Sequence, residues 1–206
     1  MASAVDICNL ALAHIGQDGV VTDIDPSDGT TEADYCAIFY PVARDELLEK
    51  HSWSFATFRT APAALADASN ELANQWAYAY PAPSTMVKPI CVLPPESVND
   101  KDAVEFEKEA QSDGTIIIYT DMEDAVLKFV KKVTDTTKFT PGFVVALSYK
   151  LAQYLAGPIT KRPEVVAQME KEFDKAYLLA TAADASARNK GLLRNLNPAH
   201  LAARSV

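Results

Sequence analysis

The spacing of apolar residues changes twice along this chain, and those two changes limit what it can fold into. From Ala4 to about His51, and again after Pro141, apolar side chains recur every three to four positions. Between Trp76 and about Asp135 they tend to recur every second position. A period near 3.6 calls for helices, and a period of two calls for strands with one buried face. Helical ends around a β-rich middle are most simply satisfied by one bundle built from both ends of the chain, with the β module inserted. The expected fold class is therefore α+β, mainly α. The expected parts are a bundle from 1–75 and 136–187, a β-rich insertion at 76–135, and an extended C-terminal tail at 188–206.

Local signals refine this outline. Ser3 is placed to cap a first helix that ends at Gly16, with Val5, Cys8, Leu12 and Ile15 on one face. The stretch GQDGVVTDIDPSDGT reads as a loop. Thr31 and Asp34 then resemble a capping pair, opening a second helix that runs to about His51. Its expected apolar stripe is Tyr35, Ile38, Phe39, Val42, Ala43 and Leu47. Pro41 interrupts that stripe, so the helix either bends near residues 37–41 or restarts with Pro41 in its first turn. A bend is favoured, because the stripe keeps its phase across the proline.

In the middle, Trp76, Tyr78 and Tyr80 alternate with alanines, and prolines follow. VEFEKEAQSDGTIIIYT reads as two strands about a turn at Ser112-Asp113-Gly114, and AVLKFVKKVTD as one more strand. After Pro141 a helix with Val144, Leu147, Leu151, Tyr154 and Leu155 on one face is expected to stop at Gly157-Pro158. A last helix begins near Pro163 and carries Val166, Met169, Phe173, Ala176, Tyr177 and Ala180 as its stripe.

Candidate chemistry is sparse. Asp45 and Glu49 share a helix face, but neither has a histidine three or four residues away, as a di-metal carboxylate site requires. A solvated or salt-bridged helix face is the better reading. Cys8 and His14, or His51, would make a hydrolase only if the fold brought them together. Three cysteines form no paired framework, and Cys8 and Cys36 lie on apolar stripes that suit buried thiols. Lys128, Lys131 and Lys132 form one basic cluster, flanked by acids. Trp76, Tyr78 and Tyr80 have no interleaved cations, so packing is favoured over base stacking. No cofactor motif is present. No signal peptide or membrane span is expected, because the N-terminal apolar stretch lacks a basic leader and includes Asp6 and Asn9.

Charge is unevenly distributed. The net charge is −9, yet the segment after Asp184 holds four cations and no acid, which leaves −13 on the remainder. An acidic body disfavours tight binding to a phosphate backbone. The tail combines Arg188, Lys190, Arg194 and Arg204 with Leu192, Leu193, Leu196 and Leu201. Four leucines bury too little to offset the backbone entropy of ordering some 20 residues. The tail is therefore expected to order only against a partner that supplies further burial and acidic pairing.

In order along the chain stand ICNLALAHIG, CAIFYPVARDELLEKHSWSFATFR, QWAYAYPAPSTMVK and LAQYLAGPITKRPEVVAQMEKEFDKAYLLATAADA. This collinear set resembles the tail tubular protein A family, the head-to-tail adaptors of short-tailed bacteriophages. The resemblance spans about residues 5 to 190 and rests on packing segments, with no catalytic residues to carry over. It implies a helical bundle with a β extension, a non-enzymatic virion protein, and a dodecameric ring at the neck of the particle. It implies the portal protein, the tail nozzle protein and further copies of the chain as partners. DNA would pass through the channel without specific binding. Portal binding would fall to the tail, on Arg188, Lys190, Leu192, Leu193, Arg194, Leu196, Leu201 and Arg204, and the nozzle-facing surface to the β module. Synthesis would be in the host cytoplasm. A head-completion connector of a long-tailed phage and a small Cys/His hydrolase are the alternative readings.

Overall fold

The computed structural model describes residues 2–66, 69–97 and 99–188. It contains 47% helix and 19% strand, so the chain is α+β and mainly α. The helices are α1 (Ala4–His14), α2 (Thr31–Lys50), α3 (Pro141–Thr160) and α4 (Pro163–Arg188). The strands are β1 (Thr57–Thr60), β2 (Tyr78–Pro81), β3 (Met86–Leu93), β4 (Glu107–Ala110), β5 (Ile116–Thr120) and β6 (Val126–Lys131). Two compact units result. One comprises Tyr40–Lys138, and the other Ala2–Phe39 with the described residues from Phe139 to Arg188. The β-bearing unit thus begins within α2, where a boundary at residue 76 was expected. β1, at Thr57–Thr60, also lies inside the stretch assigned to the helical bundle.

In the helical unit, α1 opens with a full capping box. Ser3 Oγ accepts from the Asp6 amide at 3.1 Å, and the Asp6 carboxylate accepts from the Ser3 amide at 2.8 Å. Ile7, Cys8, Ala11 and Leu12 are buried, and α1 ends before Gly16, whose φ of 76° favours glycine. The following loop is laced by Asp28. One of its carboxylate oxygens accepts from the Thr22 amide (2.8 Å) and hydroxyl (3.0 Å), and the other from those of Thr30 (3.0 and 2.7 Å). These donors hold its pKa well below the usual carboxylate range. The cap of α2 is Thr30, whose hydroxyl accepts from the Ala33 amide at 3.2 Å. The expected cap at Thr31 is therefore one residue late. Asp34 instead accepts from the Ser27 hydroxyl at 2.7 Å.

α2 runs unbroken through Pro41, so no new helix starts there. Its buried positions are Ala33, Cys36, Tyr40, Ala43, Leu47 and Leu48, together with Arg44. Ile38 and Val42 are 58% and 51% exposed, which corrects their place in the expected stripe. The helix is apolar on more than one side, and spacing alone does not say which side meets a neighbour.

α3 carries a Thr140 cap and buries Phe143, Leu147, Leu151 and Leu155. It continues past Gly157-Pro158 to Thr160, beyond the expected stop. Pro158 removes a single amide donor near the helix end. Termination falls to Lys161, in the left-handed region at φ 54°, whose amide reaches the Gly157 carbonyl at 3.1 Å. α4 begins at Pro163 as expected and buries Met169, Phe173, Ala176 and Ala180.

The β-bearing unit holds two three-stranded antiparallel sheets, ordered β1-β6-β3 and β2-β5-β4. β4 and β5 form the expected hairpin, with Gly114 at φ 84° in its turn. β5 buries both of its faces. Ile118 joins Tyr80, Val92, Ala125 and Leu127, while Ile117 and Tyr119 pack with Ala79 on the other side. This explains the continuous IIIY run in a strand that is central to its sheet. β3 tolerates Pro89 because it is an edge strand with register shifts on either side of that residue. Trp53, fully buried just after α2, donates from Nε1 to the Leu47 carbonyl at 2.8 Å.

Candidate functional site

The residues expected to bind a portal reach the described part of the chain only at Arg188, the last residue of α4. Lys190, Leu192, Leu193, Arg194, Leu196, Leu201 and Arg204 lie outside the described residues.

The Cys/His hydrolase candidates meet other partners. Cys8 lies against Cys36, and that contact with burial pushes the Cys8 thiol above the usual thiol range. His14 Nε2 lies 3.1 Å from Ser148 Oγ, and its ring stacks on Tyr149 at 3.9 Å between centroids. Ser148, fully buried, donates its own hydroxyl proton to the Val145 carbonyl at 2.8 Å. Burial lowers the His14 pKa. His51 lies in the other unit, edge-on to Trp53 at 4.8 Å.

Asp45 belongs to an ion-pair cluster, 2.8 Å from Arg44 and 2.6 Å from Lys132. Glu46 pairs with Lys50 at 3.5 Å along the helix. Asp45 is thus salt-bridged, as anticipated for it. Among the described residues, no group of three or more His, Cys, Asp or Glu side chains is arranged to hold a metal. No helix among them is long and apolar enough to cross a membrane.

The basic cluster on β6 is divided by strand alternation. Lys128 and Arg59 both bond Asp100, Arg59 at 3.2 Å. Lys131 points to the opposite side of the sheet, its Nζ 5.0 Å from the ring centroid of Phe58. Neighbours in sequence are thus not neighbours on one surface.

Two features escaped the sequence. Lys150 is 7% exposed on α3, with its ammonium 4.8 Å from the Tyr154 ring and 5.2 Å from the Phe173 ring, and it donates to Gln153 at 3.3 Å. Its i, i+4 spacing from Tyr154 was the available signal. The second is a pair of cavities of about 540 and 300 Å³ on the β-bearing unit, with Trp76, Val104 and Glu105 in both walls. No local pattern announces them, because their walls come from three separate stretches of chain.

No protein-family model matches the chain, and no curated protein matches it.

Proposed function

We propose that this chain is a structural subunit of a bacteriophage neck, a ring-forming adaptor that joins the portal to the tail nozzle and lines the DNA exit channel. The observation that carries the reading is the collinear series of packing segments between residues 7 and 185. Those segments fall on the elements they would have to build. ICNLALAHIG covers most of α1, CAIFYPV lies across the middle of α2, QWAYAYP runs into β2, and the last segment covers the second half of α3 and most of α4. Large apolar side chains stand exposed on the long helices, with Leu178 at 68% and Leu179 at 72% on α4. A subunit that packs against further copies and a portal has use for such side chains. The acidic body suits a channel that DNA must traverse without adhering.

In this role the chain is non-enzymatic and uses no cofactor. It resides in the neck of the virion after synthesis in the host cytoplasm, and the ring is dodecameric. The test is electron microscopy of the chain mixed with a phage portal protein. Rings seated on the portal are expected, and absence of any joint complex sinks the proposal. A chain lacking residues 188–206 should melt like the full chain yet fail to bind the portal. Undiminished portal affinity in that truncation refutes the docking role of the tail.

A further inference from the structure

The two cavities that share Trp76 have a definite chemical character. Trp76 is anchored along its polar edge and backbone. Its Nε1 donates to the Glu107 carboxylate at 3.0 Å, its amide donates to the Leu72 carbonyl at 2.9 Å, and its carbonyl accepts from Asn70 at 2.9 Å. The indole also packs against the buried group of Ala79, Ile117 and Tyr119. It is half-buried, and the remainder of it lines both cavities. Val104, Phe106 and Met122 add apolar wall. Three carboxylates complete the lining: Glu105 in both cavities, Glu107 in the larger and Asp121 in the smaller. Among the described residues that line them, none is a lysine or arginine.

From this we infer that the Trp76 cleft is a binding site for a cationic side chain, an arginine or lysine presented by a partner chain. A fixed indole attracts a cation to its ring, and apolar walls lower the local dielectric. Carboxylates around the rim supply the opposing charge and steer the approach. The same three carboxylates repel a phosphate backbone, which separates this cleft from a nucleic-acid platform. Trp76 is placed to do this by tertiary structure. The strand pairing of β2 with β5 and of β4 with β5 brings residues 76, 104–107 and 120–122 to one place. The inference goes beyond the adaptor reading and does not depend on it.

The probe is acetyl-tri-arginine amide, titrated into the full chain while indole emission is followed. Trp53 is fully buried, so a saturable change reports Trp76. The uncharged tri-citrulline peptide is expected to give none. Glu105→Gln combined with Asp121→Asn keeps the Asp121 oxygen that accepts from the Ala77 amide at 3.0 Å. This pair of changes should weaken tri-arginine roughly three- to tenfold, in the range of exposed ion pairs. Trp76→Leu, read by calorimetry, should weaken it roughly two- to fivefold. No saturable signal, equal binding of tri-citrulline, or unchanged affinity in the folded charge variant overturns the inference. Failure here leaves the portal complex as a separate question with its own readout.

Discussion

Gly142 on α3 approaches Ala180 on α4 so closely that a Cβ at position 142 would lie 3.3 Å from both the Cα and the Cβ of Ala180. The side chain is absent from one helix because the other helix occupies its space. Gly142→Ala adds helix propensity of up to about 1 kcal/mol but presses on a neighbour whose backbone cannot swing aside. It should change stability little. Gly142→Val should cost about 1–3 kcal/mol, as overpacking usually does. Urea titration of both variants checks the order.

Trp53 should be the costliest single truncation in the β-bearing unit. It is fully buried and satisfies the Leu47 carbonyl at 2.8 Å. Trp53→Ala should lose about 3–5 kcal/mol. Trp53→Phe restores most of the volume but leaves that carbonyl without the indole donor, so about 1–3 kcal/mol is expected. A denaturant midpoint for Trp53→Phe as low as that of Trp53→Ala would show that the hydrogen bond, not the volume, dominates.

Pro41 stands inside α2, where a proline lacks an amide donor and crowds the preceding turn. Pro41→Ala should raise the melting temperature, by an amount bounded by the roughly 3 kcal/mol cost of proline in a helix interior. If the local shape of α2 serves assembly, the same variant forms fewer rings on the portal while melting higher. Thermal melts and ring counts from micrographs are read on the same samples.

His14 gives the helical unit a dependence on pH. Burial lowers its pKa in the folded chain, so the unfolded chain takes up the proton first as pH falls. Stability should therefore drop as pH falls below the ordinary histidine value of about 6.5 toward the lower folded pKa. His14→Gln should flatten the curve between pH 7.5 and 5.5. An equally steep fall in that variant assigns the dependence to other groups.

The thiols provide a last check. Cys8, Cys36 and Cys91 are all buried. An aromatic disulfide reagent should titrate none of them rapidly in the native chain and all three in guanidinium. Prompt reaction of Cys8 or Cys36 in the native chain would contradict their burial in the helical unit.

Much of the secondary structure was legible because it is decided locally. Ser3 with Asp6 builds a cap from residues three apart, the turn at Gly114 needs a left-handed residue, and the α4 stripe repeats with the helix. The partial alternation in β6 likewise follows from the pleat. What the sequence concealed depends on neighbours that are distant along the chain. Pro89 looks like a strand breaker until β3 is seen to be an edge. Ile38 and Val42 fit a helical stripe as well as Cys36 and Tyr40 do, and only the surrounding elements select the buried side. Lys128 and Lys131 read as one basic cluster until the sheet sends them to opposite faces. The walls around Trp76 come from three stretches that strand pairing alone assembles. Local propensity and period thus determined which elements form and roughly where. Tertiary packing decided which of their faces meet, because burial is a property of neighbours and a sequence names those only along the chain.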